Sequence, residues 1–286
     1  MRFAIQHMFT SALTLALAGA ALPALADQAN GDGVIKLQQG FSGVCENCDM
    51  RDRDLSFAGL SGAQFPGGKF QRANMEQVIA SASVFDNADF SGAVLREAMF
   101  TSSRLNGARF AGSSMQDFQA AGAKFIGADL SGAKMTHATL VGADLTNATL
   151  LNAHLDDANL TGAVLSNANA VAASMQDADL SGAMLNDVNF SGADFSGASF
   201  VGSVLTGARF NGAALDSTDF ASTRLEGADF SGATGLDSAH FGGACGDAQT
   251  RLPQGFEITN CAAEGMGGPE ELIHADLDGG QHDFGE

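Results

Sequence analysis

From Leu55 to Phe230 every fifth residue is apolar, thirty-six positions in one unbroken frame: sixteen Leu, thirteen Phe, four Met and three Ala. The residue two places before each is usually small, Ala in twenty-five of the thirty-six. Few patterns leave a chain so little choice. On an α-helix five residues advance about 500°, so successive large residues would land about 140° apart and spiral round the rod. On a continuous flat strand an odd period points Leu130 and Met135 in opposite directions. The large residues share one interior only where the backbone turns once per repeat. Ala128 and Leu130, two apart, lie on one face of an extended segment. The corner falls at Ser131-Gly132, where Gly accepts turn conformations that other residues resist. The chain reads as a solenoid with five-residue sides, one of the stacked, quasi-one-dimensional architectures.

The unit is written out in Ala143-Asp144-Leu145, Ala158-Asn159-Leu160 and Ala178-Asp179-Leu180, and with Phe in Ala193-Asp194-Phe195. This resembles the pentapeptide-repeat family, whose pattern is Ala-(Asp/Asn)-Leu-x-x. The resemblance spans about 180 of the 286 residues. It implies an all-β fold, a right-handed quadrilateral β-helix with four repeats to a coil of twenty residues. Met75, Met115, Met135 and Met175 are all separated by multiples of twenty, as one face of such a coil requires. So are the outward cations, Lys69 with Arg109 and Arg209, and Arg104 with Lys124 and Arg224. Thirty-six repeats then make about nine coils, a tower on the order of 43 Å long at ~4.8 Å per strand. Two repeats exchange large and small: Val78 with Ala80, and Phe118 with Ala120. A volume-conserving swap keeps the interior filled; a dent that bends the tower is the alternative.

Residues 1–26 read as a secretory signal. Arg2 supplies the basic start, an apolar stretch runs from about Met8 to Leu22, and Ala24-Leu25-Ala26 fits a small-x-small cleavage site. The stretch is shorter than the ~20 residues a membrane span needs. The expected product is a periplasmic or secreted protein, with no membrane association after cleavage. Its expected parts are an N-terminal cap (27–49), the repeat tower (50–234), a C-terminal cap (235–262) and an acidic tail (263–286). Cys45, Cys48 and Met50 extend the five-residue frame upstream, which places both cysteines inside the first coil. Beyond Phe230 the frame slips by one at Gly235, and Leu236 and Phe241 continue it.

The four cysteines form two pairs, Cys45 with Cys48 and Cys245 with Cys261. In an exported chain an even count argues for disulfides. A four-thiolate zinc site is excluded within one molecule, because the pairs lie roughly nine coils or ~40 Å apart. A redox-active Cys-x-x-Cys is the competing reading, although no strand-helix context surrounds it.

The chain carries 33 Asp and Glu against 14 Lys and Arg, a net charge of −19. Between Lys134 and Arg209 there are seven acids and no Lys or Arg. Such a surface repels nucleic acid and anionic lipid. One outward column departs from polarity: Val164, Met184 and Val204, twenty apart, stack as an apolar stripe, read either as a β-branched ladder or as a contact surface.

Catalytic chemistry finds no foothold. Serines occupy repeat positions rather than a nucleophile elbow, and no helix follows the glycines to make a phosphate cradle. His137 and His154 fall on different repeat positions, and Asp156-Asp157 sits at a corner. No catalytic, metal or cofactor residue is assigned. Three functional readings follow. The leading one is an exported, non-catalytic scaffold that binds an unidentified protein, of which a second copy, end to end or face to face, is one form. The second follows from the resemblance, whose acidic DNA-mimicking members act on DNA gyrase and relieve quinolone inhibition. The third is a periplasmic thiol- or metal-handling protein acting through its cysteines.

Overall fold

A computed structural model of the chain describes residues 41–263 apart from 254 and 257. The expected signal segment, most of the N-terminal cap and nearly all of the acidic tail lie outside the described residues.

The period becomes a tower because residues twenty apart pair. Parallel bridges join Val44 to Gln64, Asp49 to Lys69, and so on without interruption to Ala214–Thr234. Four repeats therefore make one coil, and the fold is a right-handed quadrilateral β-helix. The ladder begins at Val44, so the frame includes both N-terminal cysteines. After Thr234 the offset lengthens, to twenty-one at Asp219–His240 and Arg224–Cys245 and to twenty-two at Asp229–Arg251. Gly235 takes up the first extra residue in the left-handed region, φ 77°, ahead of a single 3-10 turn, Leu236–Ser238. The C-terminal end is closed by β1 (Cys245–Gly246) and β2 (Thr259–Asn260), a short parallel pair laid over the last rung.

A repeat with Asp or Asn before its large residue accounts for all five of its N–H groups, which explains that preference. Around Leu130, the Leu130 N–H bonds Thr149 O (2.7 Å) and the Gly132 N–H bonds Leu151 O (2.8 Å), both in the coil below. The Asp129 N–H bonds Ala108 O in the coil above (2.9 Å), and Ala133 N–H closes the corner onto Leu130 O (3.0 Å). The fifth, on Ser131, reaches no carbonyl; it donates to the Asp129 carboxylate (3.0 Å). The same short-range bond recurs at Asp89, Asn159, Asp179, Asn189 and Asp194. Asp or Asn before the large residue is thus the acceptor for an otherwise unsatisfied donor.

The interior is a column of fully buried Leu, Phe and Met, filled out by Ala. Where Ser or Thr replaces the small Ala, the hydroxyl donates to a carbonyl at all but one position, as Ser83 to Leu60 O (2.6 Å), Ser103 to Ala80 O (2.6 Å) and Thr218 to Phe195 O (2.9 Å); the Ser203 hydroxyl is buried without a partner. The Phe residues gather towards the two ends and stack one coil apart. Phe90 and Phe110 are 4.8 Å apart between centroids, as are Phe210 and Phe230 at 4.7 Å. Both swaps are volume exchanges. Val78, Ala80, Phe118 and Ala120 are all buried, Phe118 packs 5.2 Å from Phe100, and the ladder runs through Ile79, Met99, Gln119 and Thr139 without a bend.

The N-terminal coil departs from the expectation of a sealed interior. Cys45 and Cys48 are only part-buried. Among the described residues the coil has a neighbour below and Phe41 above, packed on Phe65 with its N–H on Gly59 O (2.8 Å).

Candidate interaction surface

With the interior packed and the rungs paired, the side chains left for function project from four faces and four corner edges. One face neutralises itself. Asp49, Lys69, Asp89, Arg109 and Asp129 occupy successive rungs with alternating sign, and at its far end Arg251 Nη1 stands 3.3 Å from Asp229 Oδ2. Opposite charges directly across a rung stabilise a ladder.

Every corner requires one residue in the left-handed region. On one edge that place is held by Glu97, Asp117, His137, Asp157 and Asp177, all with φ between 55° and 58°. His137 is bracketed by its neighbours in the adjoining coils, Nδ1 3.7 Å from Asp117 and Nε2 3.6 Å from Asp157. Its partners are these carboxylates, twenty residues either way, and not His154. On another edge the same place is taken by Gly122, Gly142, Gly162, Gly182 and Gly202 in succession, φ 63° to 67°. A Cβ on any of the last four would meet nothing. This edge is bare.

The Val164–Met184–Val204 column runs beside the bare edge. The three residues occupy consecutive rungs, with Asp144 on the rung above and Arg224 on the rung below. Met184 is 47% exposed, and Val164 and Val204 are half-buried. On the same corners the turn residue before the glycine is Val141 in one coil and Val201 in another, 37% and 36% exposed, with Thr161 and Ser181 at that place in the two coils between. Of the six exposed large apolar residues among those described, three belong to this one patch. Sequence reasoning missed Val141 and Val201, although their spacing of sixty, three coils, was the available signal.

Arg224 forms an ion pair with Glu226 (2.6 Å) at the lower end of the column. Several rung carboxylates are held in their charged form. Burial pushes Asp89, Asp179, Asp194 and Asp229 up, but hydroxyl and backbone N–H donors from the residue two places on outweigh it, and all four sit below their ordinary value.

Both cysteine pairs are bonded, Cys45–Cys48 with a Cα separation of 5.7 Å and Cys245–Cys261 with 4.8 Å. The first spans one corner of the tower, from a large-residue position to the next small one, two inward positions that the turn at Asn47 brings together. The second is buried and ties β1 to the residue following β2. Among the described residues no group of three or more His, Cys, Asp or Glu side chains is arranged to hold a metal ion. The acidic and histidine-bearing tail lies outside the described residues. No helix among them is long and apolar enough to cross a membrane.

Parallel rungs at an offset of twenty, a left-handed residue at each corner and an Ala-(Asp/Asn)-Leu unit define the class of right-handed quadrilateral β-helices. The model of the family "Pentapeptide repeats" matches eight copies, across residues 81–117, 119–152, 140–177, 173–212, 183–221 and 198–234. The chain belongs to the pentapeptide repeat family. Among solved structures, a trypsin-treated variant of QnrB1, a plasmid-mediated fluoroquinolone resistance protein, is 20% identical, with 73% of this chain and 92% of that chain covered and a TM-score of 0.54. HetL, involved in heterocyst differentiation regulation in the cyanobacterium Nostoc, is 29% identical over 76% of this chain and 94% of its own, TM-score 0.37. A pentapeptide repeat protein of the Arabidopsis thaliana thylakoid lumen is 33% identical over 37% and 67%, TM-score 0.24. The QnrB1 likeness speaks to the fold alone. No curated protein matches the chain.

Proposed function

We propose that this chain is an exported, non-catalytic member of its family that works by binding another protein, and that the strip formed by Val164, Met184 and Val204 is its contact surface. One observation carries the reading: an exposed apolar column on a tower whose other outward positions are mostly polar or charged. Export rests on the signal-like residues 1–26. The potential nucleophiles and carboxylates have structural duties as corner donors, corner acceptors and ion-pair partners. Affinity capture from the periplasm compares wild type with the Val164→Ser/Met184→Ser/Val204→Ser variant. A partner held by wild type and lost from the variant is expected, and identical catches would dispose of the strip as the surface. The mass of the exported protein should begin at Asp27.

The acidic stretch between Lys134 and Arg209 favours a second reading, a DNA mimic acting on gyrase. A supercoiling assay with a quinolone present tests it, and neither inhibition nor protection by the mature protein would remove it. The thiol-handling reading predicts cysteines that open under mild reductant. Structural bridges predict no free thiols in native or denatured protein.

A further inference from the structure

We propose that the apolar strip is a docking site for a cationic amphipathic segment of another protein, its apolar side chains lying on Val164, Met184 and Val204 and its Lys or Arg residues reaching the surrounding aspartates. This rests on the protein-binding reading above and adds the chemistry of the partner.

Three features point to it. The first is the shape of the patch. Val141 and Val201 stand on the glycine edge beside the strip, each the turn residue before a glycine, and a Cβ on Gly142, Gly162, Gly182 or Gly202 would meet nothing, so the left-handed position of each corner adds no bulk there. On the charged edge the same corner positions raise Glu97, Asp117, His137, Asp157 and Asp177 in the way. The second is that these glycines exceed what the backbone asks for. The identical left-handed corner is made elsewhere by Asn, Asp, Ser and Ala, so an unbroken run of glycine leaves one edge smooth without being needed for the fold. The third is charge. Asp144 occupies the rung above Val164, Asp187 the corner beside Met184, and Asp179 the adjoining face. They belong to a stretch with seven acids and no Lys or Arg between Lys134 and Arg209.

That field selects the occupant. A second copy would bring its own aspartates against these and a net charge of −19 against −19, and like charges at a contact oppose association. An anionic membrane is repelled in the same way. A segment with an apolar face and flanking cations buries the strip and meets charge of opposite sign, which accelerates encounter as well as holding the complex.

The probes are three fluorescein-labelled synthetic peptides: one alternating Val and Lys, one alternating Val and Glu, one alternating Ser and Lys. Binding to the mature protein is followed by fluorescence anisotropy. The Val/Lys peptide is expected to bind, more weakly as salt rises, and the other two are not. The Val164→Ser/Met184→Ser/Val204→Ser variant should weaken it by about tenfold or more. The single substitution Met184→Lys, which alters one outward side chain and no rung bond, should do at least as much. Asp144→Asn with Asp187→Asn should weaken it by roughly threefold. Equal binding to wild type and the triple variant overturns the site. Equal binding of the Val/Lys and Val/Glu peptides, or none by the Val/Lys peptide, overturns the cationic partner. A wild-type dimer that the triple variant turns into monomer, read by sedimentation, also overturns it by assigning the strip to a second copy. Should periplasmic capture depend on the strip while the Val/Lys peptide fails to bind, the protein-binding reading survives and the chemistry inferred here does not.

Discussion

Two edges of the same tower make the same turn with opposite materials. From Gly122 to Gly202 five corners in succession are glycine; from Glu97 to Asp177 five are Glu, Asp, His, Asp and Asp. The backbone differs little between them, with φ near 65° on one and near 57° on the other. A left-handed residue with a Cβ carries a penalty of roughly 1–2 kcal/mol, and the charged edge also stacks like charges one rung apart. The tower tolerates both because each corner is closed by its own turn bond and held by rungs above and below. The corner therefore demands a conformation and not a residue. The limit of that tolerance is visible: among the described corners with positive φ no Val, Ile or Thr occurs, as expected where branching at Cβ adds to the clash. Corner identity is the freest choice in the repeat, and along these two edges it is used consistently.

The sharpest way to break this comparison is to put the wrong residue on the bare edge. Gly162→Val should lower unfolding free energy by about 2 kcal/mol or more, read as a fall in Tm, while Gly162→Asp should cost about 1 kcal/mol or less. Equal harm from the two would mean that the two edges differ in backbone and not only in side chain. Asp179→Ala comes next. It leaves the Ser181 N–H without its acceptor (2.9 Å), a loss of about 1 kcal/mol, while the Thr161 hydroxyl keeps Asn159 Oδ1 (2.6 Å).

Asp179→Asn separates hydrogen bonding from charge at that position, since Asn189 already performs the same corner bond for Ser191. Asp89, Asp179, Asp194 and Asp229 have folded pKa values below the ordinary one. Each thus contributes stability that is complete above the unfolded value of about 3.9 and is lost as pH falls through the folded one. Denaturant midpoints should be flat near neutrality and drop on acidification. Asp179→Asn with Asp194→Asn should flatten the drop by lowering the neutral midpoint towards the acid one. The smallest effect belongs to the charged edge. His137→Gly removes an exposed pair and a strained corner together and should move stability by no more than about 0.5 kcal/mol. Added salt should raise Tm slightly in that variant, through screening of Glu97, Asp117, Asp157 and Asp177.

How much of this was legible beforehand follows from the range of the signals. The five-residue frame is local, and so is the Ala-(Asp/Asn)-Leu unit. The coil length needed a longer correlation, the register of four methionines and two sets of cations, and the rungs reproduce it. The cysteine pairs and the Val164–Met184–Val204 column could be read once twenty was known. So could the setting of His137, whose partners Asp117 and Asp157 lie twenty residues either way. The half-buried state of Cys45 and Cys48 could not, because it depends on what covers the first coil. Val141 and Val201 carry the signal of a spacing of sixty, but their exposure beside the column is decided by the closed coil.

Taken alone, the order of residues determined that this chain coils, with sides of five, a dry interior and corners outside, because an apolar residue at every fifth position has no other way to stay out of water. Tertiary structure decided which outward residues are neighbours. Residues twenty apart meet only after four sides have closed, and only the closed coil shows which corner residues stand beside which column.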